Sequence, residues 1–158
     1  MKKKKVLIII AILGVAGLLI AGGIGLYMFK KPHRDVQSAD VDYTLTVSEI
    51  VSEYLTSKDA ANEKYLASNG DSKILEITGV VSKISEDFSG QKVVLLAGAQ
   101  AKAGVSATFT SETNSSLSNV RIDQTITIKG VIRSGASYDE DLEMYEHVLI
   151  EKSDIVLK

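Results

Sequence analysis

Residues 73–84 read KILEITGVVSKI, and this stretch decides the fold class. Leu75, Ile77 and Val81 fall on one alternating set, which is typical of a strand with one buried face. Gly79 interrupts that set. A glycine inside a strand pattern indicates a bulge or a sharp bend, and a barrel needs such a bend where one long strand serves two sheets. The stretch therefore predicts the first strand of a small β-barrel.

Four further strands are predicted downstream, after a turn at Ser89-Gly90. They cover residues 92–96, 105–110, 125–131 and 148–157. Residues 111–119 are expected to form a short helix or loop between the third and fourth strands. Five strands in this order predict a small closed or nearly closed barrel.

Upstream, the sequence predicts a helical preface to the barrel. Thr46 with Glu49 three residues later makes a capping-box pattern at a helix start. The apolar residues that follow recur at helical spacing and are expected to pack on a core. They are Val47, Ile50, Val51, Tyr54 and Leu55. A weaker helical stretch covers residues 59–66, and residues 69–71, Asn-Gly-Asp, predict a turn after it.

The N-terminal part of the chain predicts a membrane anchor. Residues 6–29 contain no charged side chain, and as a helix they would span roughly 36 Å. That length exceeds the hydrocarbon core of a bilayer, roughly 30 Å thick, so the segment is long enough to cross it with some tilt. The predicted organisation is a basic tail over residues 1–5, a transmembrane helix over 6–29, a linker over 30–45 that contains Pro32, and a folded domain over 46–158.

The flanks of this span predict its processing and orientation. Apolar residues continue past the small residues at 21–23, which favours an uncleaved signal anchor over a signal peptide. Four lysines precede the span and three basic residues follow it, so the N-terminus is expected in the cytoplasm and the folded domain outside the cytoplasmic membrane. Gly17, Ala21 and Gly25 would line one helix face, which allows a homodimer through the membrane helix.

Charge divides the chain into two unlike parts. From Asp35 onward there are 11 basic residues against 20 acidic ones, a net charge of −9, whereas the whole chain carries −2. Affinity for nucleic acid rests largely on Lys and Arg, so the sequence argues against nucleic acid as a partner. The chain has no cysteine, which excludes disulfides, thiol chemistry and a lipid-modified cysteine.

Two segments carry a resemblance to a known family. Residues 60–66 read AANEKYL and lead through a short spacer into residues 73–84, and the pair resembles the tRNA-anti-like family of OB-fold proteins. Residues 105–110 and 124–130 are similar to the third and fourth strands of that family, so the resemblance covers about residues 47–157. It implies a five-stranded OB-fold barrel and a location in the bacterial envelope, where many relatives are lipoproteins.

The chain departs from this family at two places. It has a predicted transmembrane anchor where many relatives carry a lipidated cysteine, and residues 134–147 form a longer and more acidic loop than the family leads us to expect. The family's name records a likeness to a tRNA-binding domain, so the resemblance implies a fold and a location and does not imply an activity.

No catalytic or metal-binding pattern stands out. Residues 139–143 read DEDLE, which is oxygen-rich, but they lack the glycine and distal glutamate of an EF-hand loop and are interpreted as a solvated surface loop. His33 falls in the linker and His147 at the start of the last strand. No serine lies in a Gly-x-Ser-x-Gly setting. We therefore expect no enzyme activity, no metal site and no cofactor.

The remaining prediction is a binding surface on the barrel. An OB barrel usually binds across its second and third strands. The side chains expected to face outward there are Lys92, Ser106, Thr108 and Thr110. The sequence thus predicts a membrane-anchored OB-fold module of the cell envelope that recognises a protein, a peptide or a glycan. The alternatives are an oligonucleotide-binding OB domain and a structural envelope-assembly component without a ligand.

Overall fold

The structure, a computed structural model, describes Gly14, Gly17, Ile20, Gly22, Gly23 and residues 35–157. The chain divides into two units, Met1–Arg34 and Asp35–Lys158. The five described residues of the first unit are helical. Within the described set, no helix combines the length and the apolar character that crossing a bilayer requires. The predicted span over residues 6–29 and the homodimer face at Gly17, Ala21 and Gly25 lie largely outside the described residues.

In the second unit, two helices follow a short first strand. Helix α1 covers Val47–Thr56 and helix α2 covers Lys58–Tyr65. The capping box at the start of α1 is confirmed, because the Thr46 hydroxyl accepts from the Glu49 amide at 3.3 Å and the Glu49 carboxylate accepts from the Thr46 amide at 2.6 Å. This reciprocal pair satisfies amides that a helix start otherwise leaves without partners.

The apolar face of α1 is narrower than the sequence predicts. Val47, Ile50, Val51 and Tyr54 are buried, as expected from their spacing. Leu55 is 39% exposed, so its predicted place in the core is wrong. One residue corresponds to about 100° of helical rotation, and this step takes Leu55 off the face that Tyr54 occupies.

A five-stranded barrel forms the body of the domain. Its strands are β2 (Ile74–Glu86), β3 (Lys92–Leu96), β4 (Val105–Phe109), β5 (Thr125–Ser134) and β8 (Val148–Ile155). They pair in the order β2-β3-β4-β8-β5, and β5 pairs back with β2 to close the barrel. Only the β4–β8 pairing in this ring is parallel. The predicted mainly-β, five-stranded barrel is therefore confirmed.

Strand β2 serves two partners, as the glycine pattern predicts. Ile74–Val80 pairs with β5, and the pairing with β3 starts at Val81. Gly79 lies just before this exchange, and a Cβ atom there would lie 2.5 Å from Val47 Cγ2 of α1 and 3.1 Å from Leu96 Cβ of β3. The missing side chain lets the helix and the next strand approach β2 at the point where the sheet changes partner.

The segment predicted to be a linker over residues 30–45 is partly built into the domain. Its last residues begin strand β1 (Tyr43–Thr46), which pairs in parallel with β2. Val36 is only 3% exposed. The Lys129 ammonium donates to the carbonyl oxygens of Gln37 at 2.8 Å and Ala39 at 2.5 Å, and the Gln37 amide donates to the Lys152 carbonyl at 2.6 Å. We call these contacts the N-terminal clasp.

A second addition to the barrel lies within residues 134–147, which the sequence treats as a loop. Strands β6 (Ser137–Asp139) and β7 (Met144–Glu146) form an antiparallel hairpin there. The rings of Tyr138 and Tyr145 lie opposite each other, with centroids 4.9 Å apart. Residues 114–117, between β4 and β5, form a single 3-10 turn, in agreement with the short helix or loop expected there.

Candidate functional site

Strand β4 presents two of the predicted binding residues outward. Val105, Ala107 and Phe109 are fully buried, whereas Ser106 and Thr108 between them are half-buried. Alternate residues of a strand point to opposite faces, so the predicted outward orientation of Ser106 and Thr108 is confirmed. Their role in binding stays a prediction.

The other two predicted residues lie elsewhere. On β3, Val94 and Leu96 are the buried set, and Lys92 falls in register with them at the strand end, so its predicted outward alternation is wrong. The outward residues of β3 are the half-buried Val93 and Leu95. Thr110 follows β4, where its amide donates to the Thr113 hydroxyl at 2.9 Å and closes a turn.

Thr108 and Thr110 nevertheless line one depression, which we call the barrel-face groove. Its volume is about 420 Å³. The remaining lining residues come from the β2–β3 turn, the end of β4 and the middle of β8: Asp87, Gln91, Phe109, Glu151 and Lys152. The charged side chains of the groove are two carboxylates and one lysine. Phe109 is fully buried, so its ring is not available for stacking. A groove of this composition suits neither a phosphate backbone nor an unstacked base.

A second depression, which we call the helix cleft, lies beside α1. It consists of two adjoining cavities that share Leu55 and Lys102 as lining residues. The first, about 470 Å³, lies between α1, the β2 residues 78–80 and the loop at 98–103. Its apolar walls are Val47, Val51, Leu55, Val80, Ala101 and Ala103. Hydroxyl groups interrupt these walls at Thr46, Ser48, Ser52, Thr56 and Thr78. We call this cavity the hydroxyl chamber.

The second cavity of the cleft, the tyrosine chamber, has a volume of about 480 Å³. Tyr54 from α1 and the hairpin residues Tyr138 and Tyr145 supply its aromatic walls. Lys58 and Lys102 also line it, and the Lys102 ammonium lies 5.6 Å from the centroid of the Tyr145 ring. An ammonium at that distance from a ring is stabilised by the negative face of the π system.

Tyr54 is the most constrained residue of the tyrosine chamber. Its side chain is 2% exposed, and its hydroxyl has no hydrogen-bond partner among the described residues. Burial, with smaller contributions from Tyr65 and Glu53, raises the pKa of Tyr54 to about 12. A Cβ atom on Gly135 would lie 1.8 Å from the Tyr54 ring, so the chain at this point accepts only glycine. This contact holds the start of the hairpin segment against α1.

A polar contact outside the cleft fixes α2 beside α1. The Glu53 carboxylate accepts from the Lys64 ammonium at 2.9 Å and from the Tyr65 hydroxyl at 2.8 Å. The hydrogen bond from Lys64 and then that from Tyr65 hold the pKa of Glu53 below its usual value, against the opposing effect of burial. Hydrogen bonding with Tyr65 and Glu53 raises the pKa of Lys64. The Lys64 ammonium also lies 4.7 Å from the Tyr65 ring centroid.

Two residues considered above for metal binding and catalysis, Asp139 and His147, accept hydrogen bonds from backbone amides. Asp139 begins the hairpin turn, where its carboxylate accepts from the amides of Asp141 and Leu142 at 2.9 Å. His147 accepts through Nδ1 from the Gly104 amide at 3.0 Å. Across residues 35–157 there is no group of three or more metal-ligating side chains. His33 lies outside the described residues.

Sequence reasoning does not find the helix cleft, because its walls come from segments far apart in the chain. One signal was present in the hairpin: Tyr138 and Tyr145 flank the acidic run 139–143 at positions that face each other once the run turns. A second was the fifth apolar residue on α1, Leu55, which widens the apolar stripe beyond the face that the core covers.

Comparisons with known proteins place the chain in a family. A family model described as tRNA_anti-like matches residues 1–140. A crystal structure of a "putative nucleic acid-binding lipoprotein" from Klebsiella pneumoniae matches with a TM-score of 0.53 and 16% sequence identity, over 80% of this chain and 100% of that chain. At this identity the likeness concerns the fold alone.

A second solved structure, OBody NL8 bound to hen egg-white lysozyme, is 16% identical over 54% of this chain and 97% of that chain, with a TM-score of 0.37. No curated protein sequence matches the chain significantly. The family match spans most of the sequence and agrees with the closed five-stranded barrel, so the chain belongs to the tRNA-anti-like family.

Proposed function

We propose that this chain is a membrane-anchored OB-fold protein of the bacterial cell envelope whose helix cleft binds a peptide segment of a partner protein. The observation that carries the proposal is the cleft itself, two adjoining cavities of about 470 and 480 Å³, of which the first has mostly apolar walls and the second combines three tyrosines with an equal share of polar groups. Such concave, mostly apolar surfaces with a few convergent polar groups are the usual form of a binding site.

Peptide fits the hydroxyl chamber better than glycan does. Sugars are bound largely through aromatic rings that stack on their apolar faces, and all three aromatic residues of the cleft lie in the tyrosine chamber. The hydroxyl chamber offers aliphatic side chains for apolar residues and hydroxyl groups for the amides between them. An extended peptide presents both kinds of group in alternation.

The second candidate function is oligonucleotide binding, and it is favoured by the name of the Klebsiella structure. Two features of this chain oppose it. The residues from Asp35 onward carry a net charge of −9, and the barrel-face groove combines two acidic side chains with a buried phenylalanine. Binding of single strands depends on a basic groove and on accessible aromatic rings.

The proposed location follows from the uncharged span. Residues 6–29 would hold the chain in the cytoplasmic membrane as a single pass, with the C-terminal domain outside the cytoplasm. We also propose a binding role without catalysis, since His147 and Asp139 are both engaged in holding backbone amides.

The test uses full-length protein in nanodiscs. A phage library of random peptides is panned on the wild type, and the affinities of the enriched peptides are measured for two matched variants. Leu55→Arg blocks the cleft at the junction of its chambers, whereas Leu149→Arg changes a similarly exposed leucine, 45% against 39%, that lies outside both chambers. We expect binding to fall about tenfold or more in Leu55→Arg and to stay unchanged in Leu149→Arg.

Two results would count against the proposal. The first is that no peptide is enriched, or that enriched peptides bind Leu55→Arg as well as the wild type. The second is that a labelled oligothymidylate of about twenty nucleotides binds at physiological salt with an affinity that falls steeply as salt is added. That second result would establish the oligonucleotide-binding function instead.

A further inference from the structure

The charged groups of the helix cleft have one sign. In the described residues the only charged side chains that line either chamber are Lys58 and Lys102, and no Asp or Glu lines them. The same domain carries 20 acidic residues against 11 basic ones. A cavity lined by two lysines and by no acidic side chain is therefore an exception in this acidic domain, and both lysines line the tyrosine chamber.

Neither lysine is engaged by a carboxylate. The ion pairs in the part of the chain that the structure describes join Lys64 to Glu53, Lys73 to Asp42, and Arg133 to Glu151. Lys102 instead lies over the Tyr145 ring. An ammonium held at an aromatic wall, with its hydrogen-bond donors free, is suited to receive an anionic group from a ligand.

The bordering hairpin favours an anionic group at the end of a ligand over one in its middle. Ser137, Tyr138 and Tyr145 of the hairpin line the tyrosine chamber, and its turn carries the acidic run 139–143. A ligand that continued past the lysines toward that turn would approach acidic side chains, whereas one that terminates in the chamber would avoid that repulsion.

We propose that the helix cleft binds the C-terminus of a partner protein, with its terminal carboxylate between Lys58 and Lys102 and its last apolar residues in the hydroxyl chamber. This inference rests on the proposed peptide-binding function and specifies its ligand. Thr46 and Thr78 of the hydroxyl chamber are already hydrogen-bonded to Glu49 and Thr127. Its other three hydroxyl side chains, Ser48, Ser52 and Thr56, distinguish a peptide from a fatty acid, because an alkyl chain lying over them would leave them without partners.

The experiment measures fluorescence anisotropy with full-length protein in nanodiscs. The probes are labelled octapeptides whose last four residues are Ala, Val or Leu, prepared as free acids and as C-terminal amides. We expect the free acid to bind about tenfold more tightly than the amide, the range in which a charge-assisted contact acts. Lys58→Gln and Lys102→Gln should each weaken the free acid several-fold and leave the amide unchanged. Lys83→Gln, an exposed lysine of β2 outside both chambers, is the matched control and should change neither.

Several outcomes would overturn the inference. Equal binding of acid and amide, with both lost in Leu55→Arg, would leave peptide binding in place and remove the role of the carboxylate. If an amidated peptide with an internal Glu binds as tightly as the free acid, the anionic group that the lysines recognise is a side chain and not the C-terminus. Laurate displacing the free acid at the same concentration would assign the cleft to an amphiphile. If none of the octapeptides binds and the library yields no enriched peptide, the proposed peptide-binding function is contradicted as well.

Discussion

At the scale of single residues, Tyr54 combines deep burial with a hydroxyl that has no described partner. Leaving a buried polar group without a hydrogen bond costs about 1–3 kcal/mol, and an apolar group of the same shape avoids that cost. We therefore expect Tyr54→Phe to raise the free energy of unfolding by about 1 kcal/mol, measured by thermal unfolding in detergent.

The matched control for that change is Tyr65→Phe. Tyr65 is also fully buried and stacks against Tyr54 with ring centroids 6.0 Å apart, but its hydroxyl donates to Glu53. Removing it should lower the melting temperature. A lower melting temperature for Tyr54→Phe as well would mean that its hydroxyl does have a stabilising partner.

Glu53 gives the domain a pH dependence whose sign follows from its neighbours. Lys64 and Tyr65 hold the pKa of Glu53 in the folded state below its usual value of 4.5. When the pKa of a carboxyl group is lower in the folded state than in the unfolded state, the group stabilises the fold at a pH above its unfolded-state pKa. That contribution is lost as the pH falls through the folded-state pKa. Glu53 and Lys64 are each 37% exposed, so the effect is about 1 kcal/mol or less.

We expect Glu53→Gln to be less stable than the wild type at neutral pH and to approach it as the pH falls below about 4. The measurement is the difference in melting temperature between the two proteins from neutral to acidic pH. A difference that stays constant over this range would contradict the assignment of the pH dependence to Glu53. Glu63→Gln, a change of an exposed glutamate on the neighbouring helix α2, controls for the lost charge.

At the scale of elements, Gly79 lets strand β2 change partners under helix α1. A methyl group there would lie 2.5 Å from Val47 Cγ2 and 3.1 Å from Leu96 Cβ, and neither neighbour is exposed. Overpacking of this kind costs about 1–3 kcal/mol. We expect Gly79→Ala to lower the stability by that amount, measured by chemical unfolding in detergent.

Gly98→Ala is the control for this element, because the nearest atom to a Cβ at Gly98 is 4.0 Å away. Its effect should stay within about 0.5 kcal/mol. Equal stability of Gly79→Ala and the wild type would show that α1 shifts away from β2 without cost, and the explanation of Gly79 given above would then be wrong.

The elements differ in how much the sequence reveals of them. Helix α1 is predictable because the Thr46–Glu49 box and the spacing of its apolar residues are local signals. Strand β1 is not, because it has only four residues and is held by a parallel partner about thirty positions away. The hairpin was hidden by its acidic run, which outweighs the facing pair of Tyr138 and Tyr145 in any average over the segment.

The candidate site was less predictable than the fold. Alternation correctly turns Ser106 and Thr108 outward, since that rule needs only the strand itself. The phase of β3 was wrong at Lys92, because five consecutive residues with four apolar ones give no alternation to read. The helix cleft is a property of the tertiary arrangement, and Lys58 and Lys102 meet in it from segments that no local pattern connects.

At the scale of the whole molecule, the proposed anchor and the acidic domain can be separated by deletion and tested apart. We expect full-length protein to stay with membranes through a carbonate wash, because an uncharged span of this length is held by the hydrocarbon core rather than by charge. Deleting residues 1–34 should release the protein into the soluble fraction. Release of the full-length chain by carbonate would contradict the anchor, and retention of the shortened chain would indicate a second attachment.

The N-terminal clasp has a mechanical consequence for a chain that is tethered at its N-terminus. Tension entering at residue 35 reaches the buried Val36 and the grip of Lys129 on two carbonyls before it reaches β1. Strand β1 is in turn joined to β2 by a parallel ladder, in which the hydrogen bonds resist a lengthwise pull together. The first contacts to rupture would therefore lie outside the barrel, so the walls of the cleft would keep their shape while the tether is stretched.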